Sequence, residues 1–297
     1  MSPERQLQQR LLTAAILGPL FLGAIIWLPT VHVMTLFTLV VAQGAWEWSG
    51  LCGLAGRRRL AYVLVLLLVL MTLAPVLHAP FVLPALLVLA TLWWVVALAW
   101  VRRAAVTGPD ARQDIGPNIG PEAGAGKGGT SSAWLLLAIG LLVLVPAWAG
   151  LVALHGNGTP GVWLLLALLG IVWGADSGAY FAGRRWGRRR LAPRISPGKT
   201  WEGVAGGVAT AFFIALAAGW LMDFGLVSLL GFALLGVLTA LFSVLGDLFE
   251  SLLKRRSGVK DSGRLLPGHG GVLDRIDSLT AATPVYTLGL MLQGVRL

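Results

Sequence analysis

Nine runs of mostly apolar residues, at about 11–29, 31–50, 60–78, 80–101, 133–154, 160–182, 201–222, 225–253 and 279–296, divide this chain of 297 residues. Each is close to the roughly 20 residues that an α-helix needs to cross about 30 Å of hydrocarbon. The expected fold is therefore all-α: a polytopic integral membrane protein of about nine transmembrane helices. Composition agrees, with 57% hydrophobic and only 12% charged residues, against about 25% charged in soluble domains. A soluble globular enzyme, a disordered chain and a collagen-like fibre are excluded. The first apolar run follows a polar start, Met1 to Arg10, and no small-residue cleavage site comes after it, so it reads as an anchor rather than a cleaved signal.

The cations test this count. Arg5 and Arg10 precede helix 1, Arg57, Arg58 and Arg59 follow helix 2, and Arg102, Arg103, Arg112 and Lys127 follow helix 4. Arg184, Arg185, Arg188, Arg189, Arg190, Arg194 and Lys199 follow helix 6, and Lys254, Arg255, Arg256, Lys260, Arg264 and Arg275 follow helix 8. These are 22 of the 23 lysines and arginines, all on one side of the expected bundle; only Arg296 falls elsewhere. The positive-inside bias puts that side, with the amino terminus, in the cytoplasm, hence in a cytoplasmic (inner) membrane. The net charge of +10 would suggest nucleic acid in a soluble chain, but topology accounts for it here and no nucleic-acid partner is expected. A Gly- and Pro-rich stretch interrupts the pattern. It sets an organisation of helices 1–4 (1–103), a flexible cytoplasmic loop (104–132) and helices 5–9 (133–297), which carry the motifs.

Five acids sit in or beside the apolar runs, each near a cytoplasmic end: Glu47, Asp176, Glu202, Asp247 and Glu250. Asp176 and Asp247, seven residues before Gly183 and Lys254, lie roughly 10 Å below those positions at the helical rise of 1.5 Å. Helix capping or ion pairing explains any one acid less well when five converge on one basic face. Recessed carboxylates beneath cationic loops suit a metal with polyanionic phosphates. A transporter would place its acids at the midplane, with symmetry between halves, and neither is visible.

Two loops carry the chemistry. Ser196-Pro-Gly-Lys-Thr200 invites comparison with a Walker A loop, but the required first glycine is Pro193 and no strand is expected before it. What remains is a phosphate site without that label: Lys199 as a point cation and Thr200 where helix 7 begins, followed by Glu202. On helix 8, Asp247, Glu250 and Ser251 are spaced i, i+3, i+4 and share a face. Farther along, His269, Gly270 and Gly271 give a turn able to close on phosphate oxygens, and Asp274 and Asp277 bracket Arg275 near the start of helix 9. Asp247 and Asp274 together supply the one or two carboxylates that Mg²⁺ takes from protein. The four scattered histidines and single Cys52 offer no zinc set and no internal disulfide.

These residues resemble the phosphatidate cytidylyltransferase (CDP-diacylglycerol synthase) family. Its pattern is matched without a gap by Ser251, Lys254-Arg255, Lys260-Asp261, Pro267, His269-Gly270-Gly271, Asp274-Arg275 and Asp277. Asp176-Ser-Gly-Ala-Tyr180 and Ser196 to Gly203 look like further family elements, and Trp46-Glu47-Trp48 does so more weakly. The resemblance implies that CTP and phosphatidate give CDP-diacylglycerol and pyrophosphate with Mg²⁺; whether a second cation joins it is left open by the sequence. It implies metal ligation by Asp247 and Asp274 and phosphate neutralisation by Lys254, Arg255, Lys260 and Arg275. Lys199 and Thr200 would contact phosphate, Ser251 and Asp277 would touch substrate or support those that do, and Asp261 and His269 complete the catalytic motif. Asp176, Ser196, Glu202, Gly270 and Gly271 are the remaining expected substrate contacts. A homodimer is implied too. The rival readings are a CTP-dependent lipid-alcohol kinase, which would release CDP, and a phosphate or lipid anion transporter.

The 104–132 stretch carries both signs of charge and many glycines, and no motif. Deleting 106–130 is expected to leave activity intact; a chain that still folds in detergent but loses activity would assign this segment a role.

Overall fold

A computed structural model describes residues 3–107, 130–265 and 270–297. Among them are nine α-helices: α1 (Pro3–Trp27), α2 (Thr30–Leu51), α3 (Arg57–Leu73), α4 (Val82–Thr107), α5 (Thr130–Gly156), α6 (Gly158–Trp186), α7 (Trp201–Leu221), α8 (Leu226–Arg256) and α9 (Leu273–Leu292). The expected loop between α4 and α5 lies mostly outside the described residues, as do Pro267 and His269. Six helices, α3 (extended by a 3₁₀ turn to Val76) through α8, are long and apolar enough to span a membrane. The molecule is an all-α integral membrane protein.

Helices α2 and α9 fall short of that hydropathy for a physical reason. Gln43 and Glu47 interrupt α2, while α9 opens with Leu-Asp-Arg-Ile-Asp and continues with four more serines and threonines. Every residue of α9 from Ser278 to Thr287 is buried, because α8, α5, α4, α2 and α6 all pack around it. A helix surrounded by protein does not have to be apolar to lipid. Some of its polar groups find protein partners: Thr280 Oγ1 donates to the Asp277 carbonyl at 2.6 Å, and Tyr286 donates to the Leu164 carbonyl at 2.9 Å, while the buried hydroxyls of Thr283 and Thr287 have none among the described residues.

Three sequence expectations need correction. Helix 9 begins at Leu273, not 279, so Asp274, Arg275 and Asp277 occupy its first turns rather than a preceding loop. Lys254 and Arg255 lie in the last turn of α8, and Arg184 and Arg185 in the last turn of α6. The segment between α6 and α7 is not plain loop. It folds into an antiparallel hairpin, β1 (Arg190–Ala192) against β2 (Ser196–Thr200), paired Arg190 to Thr200 and Ala192 to Ser196. Ala192 and Ile195 are its buried apolar footing. A strand thus contains Ser196 to Thr200, although Pro193 still denies it the first glycine of a phosphate loop.

Close backbone approach sets the helix pairs. A Cβ on Gly178 would stand 2.9 Å from the Gly206 carbonyl oxygen, and one on Gly206 3.0 Å from that of Gly178, so α6 and α7 meet main chain to main chain. Gly246 does the same for α8: a Cβ there would be 3.1 Å from Ala281 Cβ and would collide with the Asp277 carbonyl oxygen. One residue beyond this contact stands Asp247. Phe249 is ringed by Trp48, Trp93, Trp94 and Trp100 at centroid distances of 5.6 to 6.3 Å, which locks the rotation of α8 against α2 and α4.

Gly246→Val is expected to separate α8 from α9 and cost about 1–3 kcal/mol, as overpacking does, read as a lower melting temperature in detergent. Gly198→Ala, where a Cβ meets nothing within 4 Å, is expected to leave the melting temperature unchanged.

Candidate active site

The carboxyl-terminal ends of α2, α6 and α8, the amino-terminal ends of α7 and α9, and the hairpin meet at one end of the bundle. Each brings charge. The hairpin carries Lys199 Nζ to 2.5 Å from Asp247 Oδ2, in an ion pair about a quarter exposed. Ser251, one turn on from Asp247, donates to its Oδ1 at 3.2 Å. Asp176 on α6 stands within electrostatic range of Asp247, Lys199 and Arg275.

A second ion pair lies deeper. Lys254 Nζ is 2.7 Å from Asp274 Oδ1 and 3.3 Å from Glu250 Oε1, with side-chain exposures of 12%, 6% and 3%. Asp274 Oδ2 is held by three donors: Ser262 N at 2.9 Å, Ser262 Oγ at 2.9 Å and Gly271 N at 2.8 Å. Neither oxygen of Glu250 accepts a well-formed hydrogen bond among the described residues. Asp277, whose Oδ1 accepts from Ser278 N at 2.7 Å, lies within electrostatic range of Glu250, Asp247 and Lys254. The result is two lysines inside a nest of five carboxylates, each ammonium facing one aspartate.

The remaining residues singled out from the sequence divide into two groups. Asp176, Lys199, Asp247, Ser251, Lys254, Asp274, Arg275 and Asp277 come together. Others serve the scaffold. Thr200 is buried and its hydroxyl caps α7, accepting from Gly203 N at 3.1 Å. Glu202 accepts from the Arg188 and Arg189 amides at 3.0 and 3.2 Å and so fastens the hairpin's entry. Arg255 Nε donates to the Ile195 carbonyl at 3.3 Å, tying the hairpin to α8. Gly270 adopts a φ of +81°, which a side chain rarely allows, and a Cβ on Gly271 would strike Ser262 and Glu47. Lys260 and Asp261 are exposed, Ser196 is half-buried on β2, and His269 is outside the described residues. Sequence reasoning left out Ser262 and gave Glu250 no role. Glu250 had a readable signal, its i, i+4 spacing to Lys254; Ser262 had none.

Among the described residues the groups here that could ligate a metal are carboxylate and hydroxyl oxygens, which suits a hard cation such as Mg²⁺. Each oxygen of Asp247 has a single contact among them, leaving lone pairs for a metal. Asp274 can offer only Oδ1, because its other oxygen is saturated.

Carboxylates and ammonium groups thus gather at one end of a helical membrane bundle, and the relatives of the chain place it among membrane enzymes. The chain belongs to the cytidylyltransferase family, whose model matches residues 8–292. It is 43% identical over 294 residues to the phosphatidate cytidylyltransferase of Pseudomonas aeruginosa, covering 97% of this chain and 98% of that protein. The enzyme of the same name from Haemophilus influenzae is 52% identical over 161 residues, 52% of this chain and 56% of that protein. That of Thermotoga maritima is 45% identical over 135 residues, 44% of this chain and 50% of that protein.

The two ion pairs differ in burial, and their removal is expected to differ accordingly. Lys254→Met strands Asp274 and Glu250 as uncompensated buried acids and is expected to cost about 3–5 kcal/mol. Lys199→Met, in the partly exposed pair, is expected to cost less than about 1 kcal/mol. Thermal unfolding of the two variants in the same detergent checks the order.

Proposed function

We propose that this chain transfers the cytidylyl group of CTP to phosphatidate, forming CDP-diacylglycerol and releasing pyrophosphate for phospholipid synthesis. The observation that carries this reading is the pairing of Lys199 with Asp247 and Lys254 with Asp274, two cations and two carboxylates at the end of a membrane bundle. A phosphate oxygen of the lipid attacks the α-phosphorus of CTP in line. The bond from that phosphorus to the β-bridging oxygen breaks, and its electron pair leaves on pyrophosphate. No covalent intermediate on the protein is required, so positioning and charge neutralisation carry the catalysis. Lys199 turns from Asp247 to a phosphate oxygen, Lys254 stays with Asp274 and Glu250 and offers its third N–H to another, and Arg275 and the exposed Lys260 add charge at the rim. Arg255, through the Ile195 carbonyl, keeps Lys199 in reach.

Mg²⁺ held by Asp247 and by Oδ1 of Asp274 would neutralise the triphosphate and the departing pyrophosphate. Asp277, Asp176 and Ser251 then orient these groups. The proposal extends to topology: nine spans, with α1, α2 and α9 crossing too, the amino terminus and the site on the cytoplasmic face of the cytoplasmic membrane, a cytoplasmic 104–132 loop between helices 1–4 and 5–9, and a homodimer. The basic loops on a single side support that orientation.

The test uses purified protein in mixed micelles with phosphatidate, Mg²⁺ and CTP labelled at the α-phosphate. Label is expected in the lipid, with one pyrophosphate released per transfer, and Asp247→Asn and Asp274→Asn are each expected to lower the rate about a hundredfold or more. Label entering lipid only from γ-labelled CTP, with CDP released, would replace this reading with a lipid kinase. Anion flux without nucleotide turnover would replace it with a transporter.

A further inference from the structure

Glu47 belongs to α2, far in sequence from every phosphate-site motif, and only 2% of it is exposed. Its carboxylate has as many donors around it as Asp274, four among the described residues, and the two acids share one of them, the single hydroxyl proton of Ser262. Oε1 takes Gln43 Nε2 at 3.0 Å and Val272 N at 3.0 Å; Oε2 takes Leu273 N at 2.7 Å and Ser262 Oγ at 3.0 Å. Val272, the residue preceding α9, makes no side-chain cap of its own. Glu47 therefore caps α9 from another helix, with its negative charge at the positive end of the helix dipole.

The same contacts lead to the reacting groups. The Ser262 hydroxyl stands between Glu47 Oε2 at 3.0 Å and Asp274 Oδ2 at 2.9 Å, and the Ser262 amide also donates to Asp274. Gly271 touches both acids. Its amide donates to Asp274 Oδ2 at 2.8 Å, and a Cβ on it would be 2.7 Å from Glu47 Cδ. Gly263 is equally constrained, since a Cβ there would be 2.8 Å from Glu47 Cδ. Glu47 thus shapes both flanks of the segment that fixes Asp274, and Asp274 in turn holds Lys254.

We propose that Glu47 is a positioning residue for the transfer reaction: through Ser262, Gly271 and the first amides of α9 it sets Asp274, and hence Lys254, relative to the phosphates. This rests on the cytidylyl-transfer reading. It makes α2 part of the active site, with a role beyond anchoring.

A purely structural role would cost folding stability and scale down the fraction of active protein, and the test separates the two. In the full chain, Glu47→Gln keeps the side chain's shape but removes one acceptor and the charge. The lost cap is expected to lower the melting temperature in detergent by a few degrees, but at the assay temperature the CTP-binding stoichiometry, which counts folded sites, stays that of the unsubstituted chain while kcat falls about a hundredfold. Ser262→Ala is expected to lose about tenfold, and the double variant to be no worse than Glu47→Gln, since both act on one oxygen of Asp274. Retention of most of kcat by Glu47→Gln, losses that track binding stoichiometry, or losses that multiply in the double variant would each overturn the proposal. Should Glu47→Gln not purify folded, Ser262→Ala decides: full kcat overturns it. The unsubstituted chain separates the two readings. Transfer by it alongside full transfer by Glu47→Gln overturns only the role of Glu47; no transfer by it overturns both.

Discussion

A carboxylate in low-dielectric surroundings costs several kcal/mol unless it is paired or hydrogen-bonded, and this chain places five or more at one end of an apolar bundle. How each is compensated decides most of the local architecture. Glu47 is met by backbone amides, Asp274 by amides, a hydroxyl and a lysine, and Asp247 by a lysine delivered from a hairpin. Because these partners come from α2, α8, α9 and the 196–200 strand, satisfying the acids also fixes how those elements sit together. The glycines follow from the same requirement: Gly246, one residue before Asp247, lets α8 touch α9 at the Asp277 carbonyl, and Gly271 leaves room for two carboxylates at once.

The apolar runs made the all-α membrane fold legible, because lipid-facing helices must be apolar along their whole length. Six of them meet that standard by composition alone. Lys254, Asp274, Asp247 and Lys199 were legible as site residues because acids and cations recurred at motif spacing on one side of the chain. Their pairing was not legible. Sequence spacing puts Asp247 and Ser251 on one helical face, but nothing in it says that Lys199, 48 positions away, reaches Asp247 while Lys254 reaches Asp274.

What sequence reasoning misplaced has one common cause. Hydropathy reports contact with lipid, so it set the start of α9 six residues late, where the charges end, although the helix already runs through Asp274 and Asp277. Those charges are tolerable in a helix because protein surrounds it. The hairpin was missed because its strands are three and five residues long and sit in an arginine-rich stretch, with Ala192 and Ile195 as buried apolar footing; hydrogen bonds to Glu202 and from Arg255 hold it, and neither is a strand pattern. Thr200, expected as a phosphate contact, also caps α7, and because its hydroxyl accepts from Gly203 N its own proton is left to donate.

The two lysine–aspartate pairs are unequal, and the inequality bears on how substrates of different kinds meet. Lys199 rides on a hairpin held by a few hydrogen bonds, and its partner Asp247 is about a quarter exposed. Exchanging that contact for a nucleotide phosphate costs little, because solvent already screens it. Lys254 is enclosed by Asp274 and Glu250, and Asp274 is pinned by three further donors. The Ser262 and Gly271 donors reach only the other oxygen of Asp274, so this ammonium stays with its two acids and offers its third N–H to a phosphate. In the proposed reaction, one cation is therefore adjustable and meets the soluble nucleotide. The other is preorganised where charge develops, and a preorganised ammonium does not have to be reoriented during the reaction.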